Sequence, residues 1–212
     1  MKDTALASEY TLIASADSAV GDAVVKKLAA SRPLILNGAD EGRLQALLVQ
    51  CRPDAHLWLH DLADVEGISA SLGRLLRSSN ITVRALVHCG SSNVPPDTAD
   101  SREARAFAGP VFSAIELVRT LRRREPNRAA LSGVVFASSY SAGQPLLAAA
   151  QGAIEAFARS AAVELAGNCR VNCLAPVASD AAPETMAATV EFLLSDGASG
   201  ISGQRLTVDG PK

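Results

Sequence analysis

Few side chains in this sequence are equipped for chemistry, and their positions matter more than their number. His88, in LVHCG, ends an apolar run. A histidine there would titrate near neutrality and serve as acid or base; the alternative is a partly buried ring making one hydrogen bond. Ser139 and Tyr140, in FASSYSAG, set two hydroxyls side by side at the end of another run. From there Tyr140 would reach a pocket from a loop, or else pack as an aromatic ring on a neighbouring one. Cys169 and Cys173 in CRVNC, and His56 and His60 in HLWLH, are spaced as if for a metal. Both segments read as strands, and four residues along a strand span about 13 Å, too far for one ion. No metal is expected.

Whatever these side chains do, other elements must position them. The 212 residues are 48% hydrophobic and 20% charged, the balance of a soluble globular protein with one sizeable core. A single domain over 1–212 is expected. A net charge of −2 and a pI near 5.9 recommend no nucleic-acid partner. The densest basic run, LRRREPNR at 121–128, reads as a helix end followed by a loop; the alternative is a phosphate-binding patch. No charged-then-apolar leader and no apolar run of membrane length are read, so a cytoplasmic protein without a membrane partner is expected. The four cysteines are expected as free thiols.

Strand and helix signals alternate along the chain. Apolar runs at 11–15, 33–37, 56–60, 83–90, 133–139, 169–176 and 204–210 read as strands. Helical spacing occupies 19–30, 41–51, 65–79, about 101–124, about 145–166 and 183–196, and Pro95 and Pro96 break the pattern between the fourth strand and the fourth helix. Strand, helix, strand at this spacing demands parallel pairing with crossovers, hence an α/β, Rossmann-like doubly wound sheet of about seven strands flanked by helices. Ligands bind such sheets at the carboxyl ends of the strands, near the point where the strand order reverses. Those ends carry ASADSAVG, NGAD, HDLAD, HCGSS, ASSYSAG and APVASD.

Those six stretches, in that order, resemble the short-chain dehydrogenase/reductase family over almost the whole chain. RVNCLAP, the later FLLSDGASGISGQRLTVDG and the helix AIEAFARSAAVELA carry the resemblance most specifically. The resemblance implies an NAD(P) cofactor held by a TGxxxGxG loop. The matching stretch here is ASADSAVG, with Ser15 for the first glycine, Ala19 for the second and Gly21 for the third. The first glycine permits the tight turn and the second lets the backbone approach the pyrophosphate at the helix N-terminus. Weakened cofactor binding is therefore expected, with the hydroxyls of Ser15 and Ser18 left to meet an anion. The other cofactor positions implied are Asn37 after the second strand, Asp61 and Leu62 at the adenine position, and His88 and Gly90 in place of NNAG, whose last glycine is Ser91. Asn37 and Gly38 offer neither the acid that favours NAD nor the base that favours NADP.

The family's chemistry uses a tyrosine acid, a lysine one helical turn later that lowers its pKa, a serine that orients the carbonyl and an asparagine that holds a water. Aligned without gaps, the helix puts Leu147 at the tyrosine and Gln151 at the lysine, and Phe107 at the asparagine; Ser139 matches the serine. Leucine transfers no proton and glutamine carries no charge. A second register sets YSAGQ at Tyr140–Gln144 against the family's YSASK, still without the lysine. After Pro176 and Val177 the chain passes directly to the last main helix, so the substrate lid reads as trimmed. The expectation is a divergent member that has lost the reductase chemistry, working as a non-redox enzyme, a small-molecule-binding protein or a silent subunit. The alternative is a rewired NAD(P)-dependent oxidoreductase using Ser139 and Tyr140. The resemblance further implies a homodimer or homotetramer, or a mixed oligomer with an intact paralogue.

Overall fold

The computed structural model describes residues 9–90, 99–124, 131–138, 143–177 and 182–209. Short apolar runs form β1 (Glu9–Ala14), β2 (Leu34–Gly38), β3 (His56–Leu59), β4 (Thr82–Cys89), β5 (Gly133–Ala137), β6 (Arg170–Pro176) and β7 (Arg205–Val208). They make one sheet in the order β3-β2-β1-β4-β5-β6-β7, and every neighbouring pair is parallel. The crossovers are α1 (Ala19–Leu28), α2 (Glu41–Leu48), α3 (Val65–Ser78), α4 (Ala99–Arg124), α5 (Pro145–Glu164) and α6 (Pro183–Leu194).

Period-two alternation divides the strand residues between two cores. Leu12, Ile35, Leu86, Val134 and Phe136 pack on the face covered by α3, α4 and α5. Ile13, Leu34, Leu36, Val87 and Val135 pack on the opposite face, under α1, α2 and α6. The doubly wound sheet expected from the sequence is the one observed. Because β1 lies between β2 and β4, the strand order reverses there and opens a crevice at the carboxyl ends of β1 and β4.

Element ends differ from expectation by one to three residues, some of them for a plain local reason. Ser15, read as the last residue of the first strand, adopts φ 58° and turns the chain out of the sheet. The fifth strand stops at Ala137. The last helix stops at Leu194 because the Arg170 guanidinium donates to the carbonyls of Leu193, Ser195 and Ala198, at 2.6, 3.2 and 2.9 Å. A buried amide does similar work beside it, for Asn172 donates to Ile201 O and accepts from Gln204 N. Residues 177–182 make the whole connection from β6 to α6. Ser91, the break around Pro95 and Pro96, the loop after the basic helix end, Ser139 and Tyr140 lie outside the described residues.

Candidate functional site

The turn between β1 and α1 is held by its own side chains. Ser18 caps α1: its Oγ accepts from Gly21 N at 3.0 Å and donates to Ser15 O at 2.8 Å. Ser15 occupies the left-handed region, where a side chain costs about 1–2 kcal/mol that glycine would not. Gly21 is pressed against the turn, since a Cβ there would lie 2.2 Å from Ser15 O and 2.7 Å from Ala16 Cα. Ala19 opens the helix with its methyl group exposed. Among the described residues, the N–H groups of Ala19 and Val20 have no partner in the chain. The glycine that packing requires has thus been kept. The two positions where glycine serves the turn and the approach of a ligand carry side chains.

At the end of β2 the structure spends Asn37 on the fold. The side chain is fully buried; Oδ1 accepts from Ser15 N at 3.3 Å, while Nδ2 donates to Trp58 O at 3.0 Å and His60 O at 2.9 Å. The amide ties the ends of β1, β2 and β3 together and has no polar atom left for a ligand. Asp17, which the sequence reading passed over, reaches from the β1–α1 turn to the next residues of this edge. Its Oδ2 accepts from Ala39 N at 2.9 Å and from Asp40 N at 3.1 Å. Gly38 lies flush against that carboxylate, where a Cβ would come within 2.6 Å of Asp17 Cγ. The available signal was an acid inside a turn that otherwise offers hydroxyls and N–H groups.

Beyond β3, Asp61 is exposed and its Oδ1 accepts from Ala63 N at 2.9 Å, closing a turn; Leu62 packs partly buried against the core. His60 stacks on Trp58 with ring centroids 5.3 Å apart. Asp61 and Leu62 therefore sit at the carboxyl edge of the sheet, two strands from the crevice.

A small cleft lies beyond the ends of β4 and β5, beside α4 and α5. Helical periodicity brings Leu147, Gln151 and Glu155 to its wall, one turn apart, opposite His88 and Gly90. His88 is buried, and burial pushes its imidazole down to about 4. His88 Nε2 and Ser113 Oγ share a 3.1 Å hydrogen bond, and Ser113 Oγ also lies 3.2 Å from Pro110 O. The ring is neutral at physiological pH. Cys173 also lines the cleft, its thiol pushed up to about 12 by burial and then by the Glu155 carboxylate. Glu155 in turn accepts from Arg205 Nε at 2.6 Å. Cys51, Cys89, Cys169 and Cys173 are all free. Among the described residues, no three His, Cys, Asp or Glu side chains converge as a metal site would need.

Sheet order, crossovers and the crevice at the β1–β4 reversal define a doubly wound α/β architecture, and the fold is that of the short-chain dehydrogenase/reductases. No family model and no curated protein matches the chain. Solved structures do. A short-chain dehydrogenase/reductase from Brucella melitensis, a glucose/ribitol dehydrogenase, superposes with TM-score 0.76 at 20% identity, covering 97% of this chain and 96% of that one. A short-chain oxidoreductase from Burkholderia thailandensis gives 0.77 at 21% identity, over 97% and 92%. YwfH, an NADPH-dependent reductase of bacilysin biosynthesis, gives 0.78 at 19% identity, over 97% and 100%.

For a dinucleotide in this crevice, the residues present offer some contacts and withhold others. The helix N-terminus still offers two N–H groups. Ala19 stands exposed beside them where the loop's second glycine would be, Asn37 is fully engaged, and the Asp17 carboxylate holds the β2 edge.

Proposed function

We propose that this chain is a divergent member of the short-chain dehydrogenase/reductase family that has lost the tyrosine and lysine chemistry. Its cleft binds a small molecule, either for a non-redox reaction or as a binding or silent subunit. The observation that carries this reading is the cleft wall. Leu147 and Gln151 stand on it one turn apart, and they are the residues that the gapless resemblance sets at the family's tyrosine and lysine. Neither exchanges a proton, and the histidine across from them is neutral and buried. Pro110, Phe136, Ala137, Ala150 and Ile154 make up most of the rest of the lining, which suits an apolar ligand. The short β6–α6 connection accords with a trimmed lid, and a cleft without a lid keeps water where hydride chemistry excludes it.

The test is a search for NADPH- and NADH-dependent turnover over a panel of aldehydes and ketones. The expected result is none above background for the wild type. Carbonyl turnover that vanishes in Ser139→Ala would overturn the reading.

One observation favours a second reading, a rewired oxidoreductase acting through Ser139 and Tyr140. The fold is shared with an NADPH-dependent reductase, and the α1 N-terminus keeps N–H groups free of protein partners among the described residues. On that reading Tyr140→Phe loses at least about 100-fold in rate, the usual worth of a general acid. An unchanged rate would eliminate it.

We also propose a homodimer or homotetramer built on α4 and α5. Phe112 and Val163, 53% and 79% exposed, give those helices apolar outer positions. Size exclusion with light scattering should return two or four chains at micromolar concentration; a monomer would refute the assembly.

A further inference from the structure

An internal carboxylate fills the place that the fold would otherwise use to read a nucleotide. In a doubly wound nucleotide-binding sheet, the carboxyl end of β2 is where the adenosine ribose is recognised, with a 2′-hydroxyl held by an acid or a 2′-phosphate by a base. Here that edge presents two backbone N–H groups, those of Ala39 and Asp40, and both are taken by one oxygen of Asp17. Two independent features indicate that the contact is built rather than incidental. Asp17 is only 9% exposed and has no cationic partner among the described residues, so the two N–H groups are what compensate its charge. Gly38, between Asn37 and those N–H groups, leaves space for the carboxylate that any Cβ would invade, at 2.6 to 2.7 Å from its three atoms.

We propose that Asp17 is a tethered anion occupying the ribose end of the crevice, and that it closes this fold to phosphorylated adenosine, the 2′-phosphate of NADP(H) above all. An incoming phosphate must displace a carboxylate held at high effective concentration by its own turn, and then endure its charge at close range. Asn37 cannot recruit the ribose in compensation, because its three hydrogen bonds are internal. The proposal concerns the adenosine end of the crevice and is read by direct binding, not by what the cleft beyond β5 turns over.

The experiment uses probes that carry no nicotinamide. Calorimetric titrations of 2′,5′-ADP and 5′-AMP are compared for the wild-type protein, Asp17→Ser, which vacates the two N–H groups, and Asp17→Asn, which keeps the shape and removes the charge. Circular dichroism establishes that each protein is folded. The wild type is expected to show no saturable binding of 2′,5′-ADP up to millimolar concentration. Asp17→Ser is expected to bind it at least about tenfold more tightly than the wild type, with a smaller gain for 5′-AMP, and the gain should shrink in high salt. Micromolar binding of 2′,5′-ADP by the wild type would overturn the proposal. So would a folded Asp17→Ser with no gain; should that variant not fold, Asp17→Asn decides the matter on the same criterion. Carbonyl turnover plays no part in any of these outcomes, so this proposal and the proposed function fail separately.

Discussion

Gly21→Ala should destabilise the protein by about 3 kcal/mol or more, or prevent it from folding. The added methyl carbon would lie 2.2 Å from Ser15 O, 2.7 Å from Ala16 Cα and 2.9 Å from Ala16 C, all backbone atoms in a turn that cannot swing aside. Relief requires moving the start of α1. Val24, Val25 and Leu28 on that helix are fully buried against the sheet and α6, and the Ser18 cap bond to Gly21 N would go with the shift. Urea unfolding followed by far-UV circular dichroism measures the loss. Gly42→Ala is the control, since a Cβ there meets only the Asp40 carboxylate at an ordinary 3.5 Å. It should stabilise α2 by up to about 1 kcal/mol, the helix advantage of alanine over glycine. Equal stabilities for the two variants would show that the turn is not packed as described.

Mild acid should weaken the fold through His88. Unfolded, the ring titrates near 6.5; folded, burial holds it near 4. Below about pH 6.5 the unfolded chain therefore takes up a proton that the native one refuses. Stability falls as the pH drops from about 6.5 towards 4, and this group contributes no further loss once the native ring is protonated as well. The full difference is worth about 3 kcal/mol. Unfolding free energies at pH 7.5, 5.5 and 4.5 test this, with His88→Gln as the reference lacking the titration. The wild type should lose about 3 kcal/mol more than the variant across that range. Parallel losses in the two proteins would mean that His88 is not the group responsible.

The architecture was readable from the chain because a parallel sheet buries both faces of its strands. TLIAS, PLILN and GVVFA are continuous apolar runs, and between them the helices show 3.6-residue spacing. The same spacing foretold that Leu147 and Gln151 share a face, which the cleft wall bears out. What the chain did not disclose is long-range bonding of polar groups. Nothing around Asn37 announces that its amide serves Ser15, Trp58 and His60, 21 to 23 residues away. A polar residue at a strand end simply reads as available. His88 is similar, because its hydrogen-bond partner is Ser113, 25 residues on. Asp17 finds its two donors 22 and 23 residues later. Ser15 is the converse case: the sequence sets it where the loop's first glycine makes the tight turn, and the structure gives it φ 58°. Ser139 and Tyr140, the two hydroxyls on which the oxidoreductase reading depends, lie outside the described residues and are addressed by mutation instead.

The position of β1 between β2 and β4 also sets a timetable for synthesis on the ribosome. β1 can pair with β2 as soon as Leu34–Gly38 emerges, but its other edge waits for Thr82–Cys89. At about 5–20 residues per second that edge stays open for roughly 4 to 14 seconds. Throughout that interval the nascent chain presents Leu12 and Ile13, which end fully buried, beside a row of unpaired backbone groups. Synonymous codons that slow translation between residues 40 and 82 would prolong this exposure, and chaperone demand should rise with the delay.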